Sequence, residues 1–307
     1  MRKLIINADD LGFSPAVNRA VLEGATLGTI TAASLMVNMP YADEAVDLVK
    51  KHCPDLSLAL HFTLTSGKPV TSPEEIPLLV DERGLFRHGF LGLWKNLAVK
   101  KQNDAFLNQV CTEFRSQFRR MEQFAQSHGL RFDHLDSHQH VHVLPGSREM
   151  FQQTADEHGL HLRVPRELFG SAERFVRRFY TWLPSGILKR TLLNMHSSRL
   201  RQRIGYFGIL ETGKIDKAAI QAILQVIRSL SGPSEVFELN IHPSTEEEET
   251  DKNRALCASG GDLAFHRSPW RQKEFSAIMD PELLSLAAEY GIQLTGFQAG
   301  NLPVPAK

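Results

Sequence analysis

Apolar, strand-like runs alternate with amphipathic, helix-like segments along most of this chain. The strand-like runs are residues 3–6, 31–37, 56–62, 132–135, 161–164, 235–241 and 292–296, and the helix-like segments are residues 15–27, 41–51, 105–128, 148–158, 217–230 and 281–290. Alternation of this kind predicts βα units and a parallel sheet. The number of strands and the chain length favour an α/β fold with a closed, irregular (β/α) TIM-like barrel over an open doubly wound sheet. No Gly-x-Gly-x-x-Gly follows the first run, which argues against a dinucleotide-binding fold.

The ends of two helices are marked by residues suited to capping. Ser14 is the predicted N-cap of the first helix, with Pro15 at its first position and Gly28 as its stop. Ser147 is the predicted N-cap of the helix at 148–158, which Gly159 ends.

Two stretches interrupt the alternation. Residues 71–102 contain Pro, Gly and Trp94 and predict an excursion over the barrel mouth, and residues 166–213 are rich in Arg and aromatic side chains. No linker of distinct composition separates two halves of the chain. We therefore predict a single domain over residues 1–307, with insertions at about 71–102 and 166–213.

The amino-acid composition limits the cellular location and the binding partners that the sequence predicts. Lys plus Arg number 35 and Asp plus Glu number 35, so the charge predicts no polyanionic partner such as nucleic acid. The apolar run after Met1 is too short for a signal peptide or a membrane span. The three cysteines, Cys53, Cys111 and Cys257, are widely spaced and predict free thiols in the cytoplasm. A peripheral membrane contact and a homo-oligomer both stay open.

Acidic and imidazole side chains follow four of the strand-like runs. Asp9 and Asp10 follow the first run, His61 lies near the end of the third, a His-rich segment follows the fourth, and His242 comes directly after the run at 235–241. Because parallel strands end at the same edge of a sheet or barrel, these side chains predict a metal site at that mouth.

Asp9 and Asp10 pose a geometric problem. Adjacent side chains on an extended strand point to opposite faces, so both can serve one site only where the strand has ended. One carboxylate then binds a cation while the other faces the reacting water. The alternative is an Asx turn that starts the bend at Leu11 and Gly12.

The His-rich segment carries ionisable side chains at alternate positions, which a fully extended chain would place on one face. These residues are His134, Asp136, His138, His140 and His142. We expect at least one of these imidazoles to bind a metal, with Asp136 as a candidate to hold a ligand imidazole by its second nitrogen. Their spacing does not identify the ligand. For His61, a hydrogen-bonded residue of the core is the alternative.

One carboxylate with two imidazoles leaves coordination positions open for water and substrate, which is typical of a catalytic metal site. Such a site acidifies bound water and polarises a carbonyl, while a carboxylate takes the proton of the water. His242 is the candidate acid for the leaving group, or alternatively a turn residue before Pro243. These ligands accept zinc, iron, manganese or cobalt, and magnesium where water fills the remaining positions.

At these residues the chain resembles the YdjC (ChbG/HpnK) family of carbohydrate deacetylases. The stretches that carry the likeness are residues 7–12, 32–38, 60–69, 134–142, 238–243, 271–275 and 291–294, with further agreement near 212–213. The likeness therefore covers nearly the whole chain.

The resemblance implies a distorted barrel related to polysaccharide deacetylases and metal-dependent removal of acetyl groups from N-acetylated amino sugars. It implies that Asp10, His61 and His138 bind one divalent ion, Mg²⁺ or Zn²⁺. It also implies that Asp9 is the base that activates water and that His242 is the acid or oxyanion partner. The division of roles between the two aspartates is carried over from the related deacetylases.

Three features of the sequence bear on the substrate. Residues 162–167 resemble the hopanoid-associated HpnK branch more than the chitooligosaccharide branch, and both an oligosaccharide and a glycolipid stay open as the substrate. Arg163 is a candidate substrate contact or a structural salt bridge, and Asp136 and His140 are candidates for substrate binding or for support of the ligands. Basic and aromatic residues mix at 174–203, which indicates a membrane-interfacial element or a helical insertion packed on the barrel or on a partner subunit.

Two other functions fit parts of the pattern. A metal-dependent phosphoesterase on a similar barrel is disfavoured because its metal cluster begins with His-x-His on the first strand, where this chain has Asp9 and Asp10. A non-catalytic sugar-binding protein is disfavoured because binding alone does not require a carboxylate base beside a metal.

Overall fold

The computed structural model describes residues 1–99, 104–165, 204–209, 212–230, 235–245, 265–266 and 268–297. The strands are β1 Arg2–Leu11, β2 Ala32–Leu35, β3 Ser57–Phe62, β4 Phe132–Ser137, β5 His161–Leu162, β6 Gly205–Phe207, β7 Val236–Ile241 and β8 Ile292–Leu294. The α-helices are α1 Pro15–Leu27, α2 Ala42–His52, α3 Phe90–Trp94, α4 Asp104–His128, α5 Ser147–His158, α6 Lys217–Ser229, α7 Pro269–Ile278 and α8 Leu283–Glu289.

These eight strands form one sheet in which each strand pair is parallel. The order is β5-β4-β3-β2-β1-β7-β6, and β8 pairs with the first residues of β1. Helices connect successive strands wherever the structure describes the connection, which confirms the predicted α/β class and the distorted barrel. Among the described residues the sheet is a half-barrel, because β5 and β6 at the two ends of its order are not paired. The carboxyl ends of β1, β3, β4 and β7 lie at the same edge, which brings the four polar clusters together.

One strand falls where the sequence predicts an insertion. Gly205–Phe207 pairs with β7 and lies inside the stretch 166–213. Three residues are too few to show a strand period, so the sequence pattern does not reveal it. Residues 166–203, including the whole basic and aromatic segment at 174–203, lie outside the described residues. The division into one domain with two insertions stays a prediction.

Residues 71–99 add no strand to the sheet, and their buried side chains Ile76, Leu79 and Phe86 belong to the main hydrophobic core. Val80 and Phe86 form an antiparallel bridge, and α3 with the π-helical turn Lys95–Val99 follows. No helix among the described residues is long and apolar enough to cross a bilayer.

Helix α4 fixes the end of β3, where His61 lies. Its buried side chains recur at helical spacing, so one face packs on the sheet while the other meets solvent. Phe114 of α4 packs against Phe62 with ring centroids 5.4 Å apart, and Phe151 of α5 lies 4.5 Å from Phe114. Burial of aromatic side chains contributes about 1.5–3 kcal/mol each, so this cluster holds the backbone beside His61 in place.

Both predicted caps of α1 are confirmed, whereas for α5 the C-terminal stop at Gly159 is confirmed and the N-cap at Ser147 is wrong. Ser14 Oγ accepts a hydrogen bond from the backbone N–H of Val17, and Gly28 ends α1 in the left-handed conformation. In α5, Ser147 is instead the first helical residue, and Gly146 precedes it with φ +82°. The Glu149 carboxylate accepts from the Gly146 N–H, so a hydroxyl cap is not needed.

Gly208 lets the chain after β6 approach the end of β7. Its φ is +126°, and a Cβ built there would lie 2.6 Å from the backbone oxygen of Asn240. We expect Gly208→Ala to lower the free energy of unfolding by about 3 kcal/mol, because strain and a backbone clash add. Gly28→Ala is the control, since its φ is +84° with open space around it, and we expect a loss of about 1 kcal/mol. Denaturant unfolding compares the two, and equal losses would contradict the clash.

Candidate metal centre

A β-bulge resolves the geometric problem of Asp9 and Asp10. The strand does not end at the acidic pair but continues to Leu11, and its register against β2 shifts between Ala8 and Leu11. Asp10 has φ +66°, a conformation that is rare for residues other than glycine. The bulge therefore brings two successive, buried carboxylates to one site. Backbone strain of this kind clusters at functional sites.

Three side chains from β1, β3 and the end of β4 converge. Asp10 Oδ1 lies 3.5 Å from His61 Nε2 and 3.0 Å from His138 Nδ1, and the three ligand atoms lie within 4.8 Å of one another. The buried Oδ1 atom accepts no hydrogen bond of ordinary geometry. Metal–ligand bonds of about 2.0–2.2 Å place neighbouring ligands about 3–3.5 Å apart. These residues therefore fit one divalent cation.

Asp136 orients the His61 ring through the ring nitrogen that does not face Asp10. His61 Nδ1 donates to Asp136 Oδ1 at 2.7 Å, which leaves Nε2 directed toward Asp10. Asp136 Oδ2 accepts from Ser34 Oγ at 2.6 Å. Burial opposes a charge on His61, but the carboxylates of Asp9 and Asp136 outweigh it and raise the pKa of His61 to about 9. A carboxylate behind an imidazole is the usual way to orient a metal ligand.

Arg163 binds three carboxylates at once. Its Nη1 and Nη2 atoms donate to Asp9 at 2.9 Å each, its Nε donates to Glu238 at 2.7 Å, and Nη2 also lies 2.9 Å from Asp136. Burial opposes the charge on Asp9, but Arg163 prevails and lowers the pKa of Asp9. The Arg163 side chain has 0% exposure, which favours the structural salt bridge over a substrate contact.

We expect Arg163→Met to lower the free energy of unfolding by about 3–5 kcal/mol, because it leaves buried carboxylates without their counter-charge. Arg131→Met is the matched control, since Arg131 is 51% exposed and pairs at 3.7 Å with an exposed Asp55. That surface pair contributes at most about 1 kcal/mol. Denaturant unfolding of both variants measures the difference, and a similar small loss in each would contradict a central role for Arg163.

The His-rich segment is extended only as far as Ser137. His138–Val143 forms a 3₁₀ segment in which Gln139 and His140 have φ +52° and +54°. The alternate positions therefore do not share one face beyond the strand. His138 stays beside Asp10, whereas His140 lies near Tyr206, with ring centroids 6.1 Å apart. Burial lowers the pKa of His140 well below its usual range.

Two histidines of the segment support the fold outside the metal group. His134 Nε2 lies 3.0 Å from Asn7 Oδ1, and its ring stacks on Phe297 with centroids 4.0 Å apart. His142 Nε2 lies 3.1 Å from the backbone oxygen of Arg163. Of the five alternating residues, the structure thus brings His138 to Asp10 and Asp136 behind His61.

His242 lies on the other side of Asp9. Its Nε2 is 3.8 Å from Asp9 Oδ2, and His61 Nε2 is 3.9 Å from the same oxygen. Burial lowers the pKa of His242 to about 4, against the opposing effect of Asp10 and Asp9. The imidazole is therefore neutral near pH 7.

Three residues close to the site are missed by the sequence interpretation. Arg271 donates from Nη1 to Asp10 Oδ2 and to His266 Nδ1, each at 2.9 Å, and Glu274 accepts from the His242 N–H. Arg271 and Glu274 lie in a helix, where charged residues ordinarily face solvent. Their agreement with the family at 271–275 is the one sequence signal that could have identified them.

Fold and site together define a class of protein, an α/β barrel whose parallel strands end in a buried Asp–His–His cluster suited to a divalent cation. Within that class the chain belongs to the YdjC-like protein family, whose model matches residues 3–289.

Relatives of known name agree with this assignment. A carbohydrate deacetylase of Thermoanaerobacter pseudethanolicus is 36% identical over 64% of this chain and 76% of its own length. A carbohydrate deacetylase of Geobacillus stearothermophilus is 28% identical over 97% of both chains. The crystal structure of a candidate cellobiose-phosphate cleavage protein from Enterococcus faecalis V583 matches with a TM-score of 0.70 and 26% identity, covering 96% of this chain and 97% of that one.

Proposed function

We propose that this protein is a metal-dependent carbohydrate deacetylase that hydrolyses the amide of an N-acetylated amino sugar. The observation that carries the proposal is the convergence of Asp10 Oδ1, His61 Nε2 and His138 Nδ1 beside the Asp9 carboxylate. Relatives named carbohydrate deacetylase support the same reaction and the hydrolase class.

In this proposal Asp10, His61 and His138 hold one divalent cation. When bound, such an ion acidifies water and polarises the acetyl carbonyl. Two imidazoles and one carboxylate suit Zn²⁺, and Mg²⁺ fits where water fills the other positions. The side chains that would act on the protons of the reaction are Asp9 and His242.

Asp9 is the proposed base. Arg163 binds both of its oxygens and keeps the carboxylate ionised and fixed in orientation. A proton from the attacking water passes to Asp9 as the water oxygen bonds to the acetyl carbon. The acetyl carbon–nitrogen bond then breaks, and the leaving nitrogen takes up that proton. His242 is neutral in the resting site, so it donates a hydrogen bond to the developing oxyanion or relays the proton to the leaving amine. The products are acetate and a free amino sugar.

We further propose that the sugar is part of an oligosaccharide or a glycolipid. The stretch 162–167 supports the glycolipid, through its resemblance to the hopanoid-associated branch. If the basic and aromatic segment at 174–203 reaches a membrane, the protein floats with anionic liposomes, and no flotation would count against that contact. The described cysteines, Cys53 and Cys111, are free thiols, which supports the proposed cytoplasmic location.

The direct test is elemental analysis of the purified protein combined with acetate release from N-acetylglucosamine oligomers, with and without a chelator. We expect about one metal ion per chain and acetate release that the chelator removes. Release of phosphate from sugar phosphates would favour a phosphoesterase, and saturable sugar binding without turnover would favour a binding protein. Arg163 and Arg271 each pair with buried carboxylates, which disfavours their use for a phosphate group.

A further inference from the structure

Helix α7 presents two buried, charged side chains to the site. Arg271 and Glu274 are three positions apart and therefore share one face of the helix. Both are buried, whereas Gln272 and Lys273 between them are exposed. Charged side chains are rarely buried unless they are paired, so their partners indicate what they do.

The two oxygens of Asp10 have different partners, because Arg271 binds only one of them. Its Nη1 donates to Oδ2 at 2.9 Å, while Oδ1 faces His61 Nε2 and His138 Nδ1. The guanidinium thereby fixes the rotation of a carboxylate whose backbone is already constrained at φ +66°. The guanidinium also lies over the Phe265 ring, with Cζ 5.3 Å from the ring centroid. A Lys side chain, with its flexible stem and single ammonium, lacks this planar stacking and would not hold the geometry as firmly.

The same nitrogen of Arg271 also reaches His138 indirectly. It donates to His266 Nδ1 at 2.9 Å. The His266 ring stacks on Phe13 with centroids 3.5 Å apart and planes 6° apart, and it lies nearly parallel to the His138 ring at 5.8 Å and 18°. Arg271 therefore holds His266, and His266 supports one side of the His138 ring.

Glu274 acts on the opposite side of the site. Its Oε2 accepts from the backbone N–H of His242 at 2.5 Å, and its Oε1 accepts from the N–H of Ile215 at 3.3 Å. Because β7 ends at Ile241, this bond fixes the first residue after the strand. The His242 ring then lies 3.8 Å from Asp9 Oδ2.

We propose that Arg271 and Glu274 are positioning residues through which α7 organises both halves of the site. Arg271 orients Asp10 and His138 toward a divalent cation, and Glu274 places His242 beside Asp9. This inference rests on the proposed function, because it assigns a purpose to the same ligands.

Measurement of metal affinity tests the proposed role of Arg271. Competition with a chromophoric chelator for Zn²⁺ or Co²⁺ compares the wild type with Arg271→Met, Arg271→Lys and Gln272→Ala. Removing a positive charge would by itself tighten cation binding, so a loss of affinity isolates the positioning effect. We expect Arg271→Met to bind about 10- to 100-fold more weakly, Arg271→Lys to recover part of that loss, and Gln272→Ala to match the wild type.

The outcomes for Arg271 are distinct. Metal binding by Arg271→Met as tight as in the wild type, or tighter, would overturn the role of Arg271. Thermal unfolding without metal shows whether that variant folds. If it does not, Arg271→Lys decides the matter, and unchanged affinity in that variant would overturn the role.

Steady-state kinetics test the proposed role of Glu274. We expect Glu274→Gln to lower kcat by about 10- to 100-fold while KM and metal affinity stay unchanged, because a displaced His242 affects the reaction rather than binding. An unchanged kcat, or an equal loss of metal affinity, would overturn the role of Glu274. A wild type that neither binds metal nor releases acetate would refute the proposed function itself. A normal wild type with normal variants would refute the positioning roles alone.

Discussion

His61→Ala is expected to weaken divalent metal binding on the order of 100-fold or more, since it removes one of three side chains that converge on the same point. Its Nε2 is 3.5 Å from Asp10 Oδ1, and Asp136 fixes the ring from the other side. The alanine variant keeps Asp10 and His138 but lacks the third proposed ligand. Elemental analysis after dialysis and a chelator competition titration measure the effect, and His138→Ala should behave in the same way.

His134→Ala is the matched control for His61→Ala. His134 is also a buried histidine of the sheet, but it contacts Asn7 and Phe297 and lies outside the metal group. We expect this variant to lose stability and to keep its metal content and affinity when folded. Retention of tightly bound metal in both His61→Ala and His138→Ala would remove these residues from the set of ligands and refute the proposed site.

Periodicity predicts most of the fold because the elements that it detects bury one face each. The helix from Asp104 to His128 and the strand from Ser57 to Phe62 are examples, with apolar residues at the expected spacing and ends within one residue of the prediction. β6 is too short to carry such a pattern. The length of β1 is also underestimated, because its polar residues are buried against other polar groups rather than facing solvent.

The site is predictable to the extent that strand order brings strand ends together. That reasoning gathers Asp9 and Asp10, His61, the His-rich segment and His242 at one edge, and the structure places Asp10, His61 and His138 together there. The choice of His138 within the His-rich segment rests on the family resemblance, because spacing does not identify the ligand. It does not predict the bulge at Asp10, since the conformation depends on pairing with β2 and on the ion pair with Arg271. The chain also turns at Gln139, where φ is +52°, so the imidazoles after this turn no longer share one face with the side chains of the strand.

Buried ion pairs are the part that a sequence pattern predicts least. Arginine usually lies at the protein surface, yet Arg163 and Arg271 are buried. Each pairs with carboxylates that lie more than 20 positions away in the chain. Their burial follows from contacts between distant elements, for which local periodicity carries no signal. In both cases the guanidinium donates hydrogen bonds to an aspartate of the candidate site, Arg163 to Asp9 and Arg271 to Asp10.

Asp9→Asn is expected to lower kcat by about 100- to 10,000-fold while the protein keeps its metal, because the amide cannot accept the proton of the attacking water. Asp9 is outside the Asp10 group and its oxygens are bound by Arg163, so the substitution leaves the three proposed ligands in place. Parallel measurement of metal content and acetate release separates these two effects.

Asp136→Asn is the matched comparison, since Asp136 also contacts Arg163 at 2.9 Å but holds the His61 ring. We expect it to weaken metal binding about 10- to 100-fold, with much of the activity restored by excess metal. Excess metal should not restore Asp9→Asn, because its defect lies in proton transfer. Substantial turnover by Asp9→Asn at saturating metal would show that another group accepts the proton, and His242, whose Nε2 is 3.8 Å from Asp9, would then be the nearest candidate.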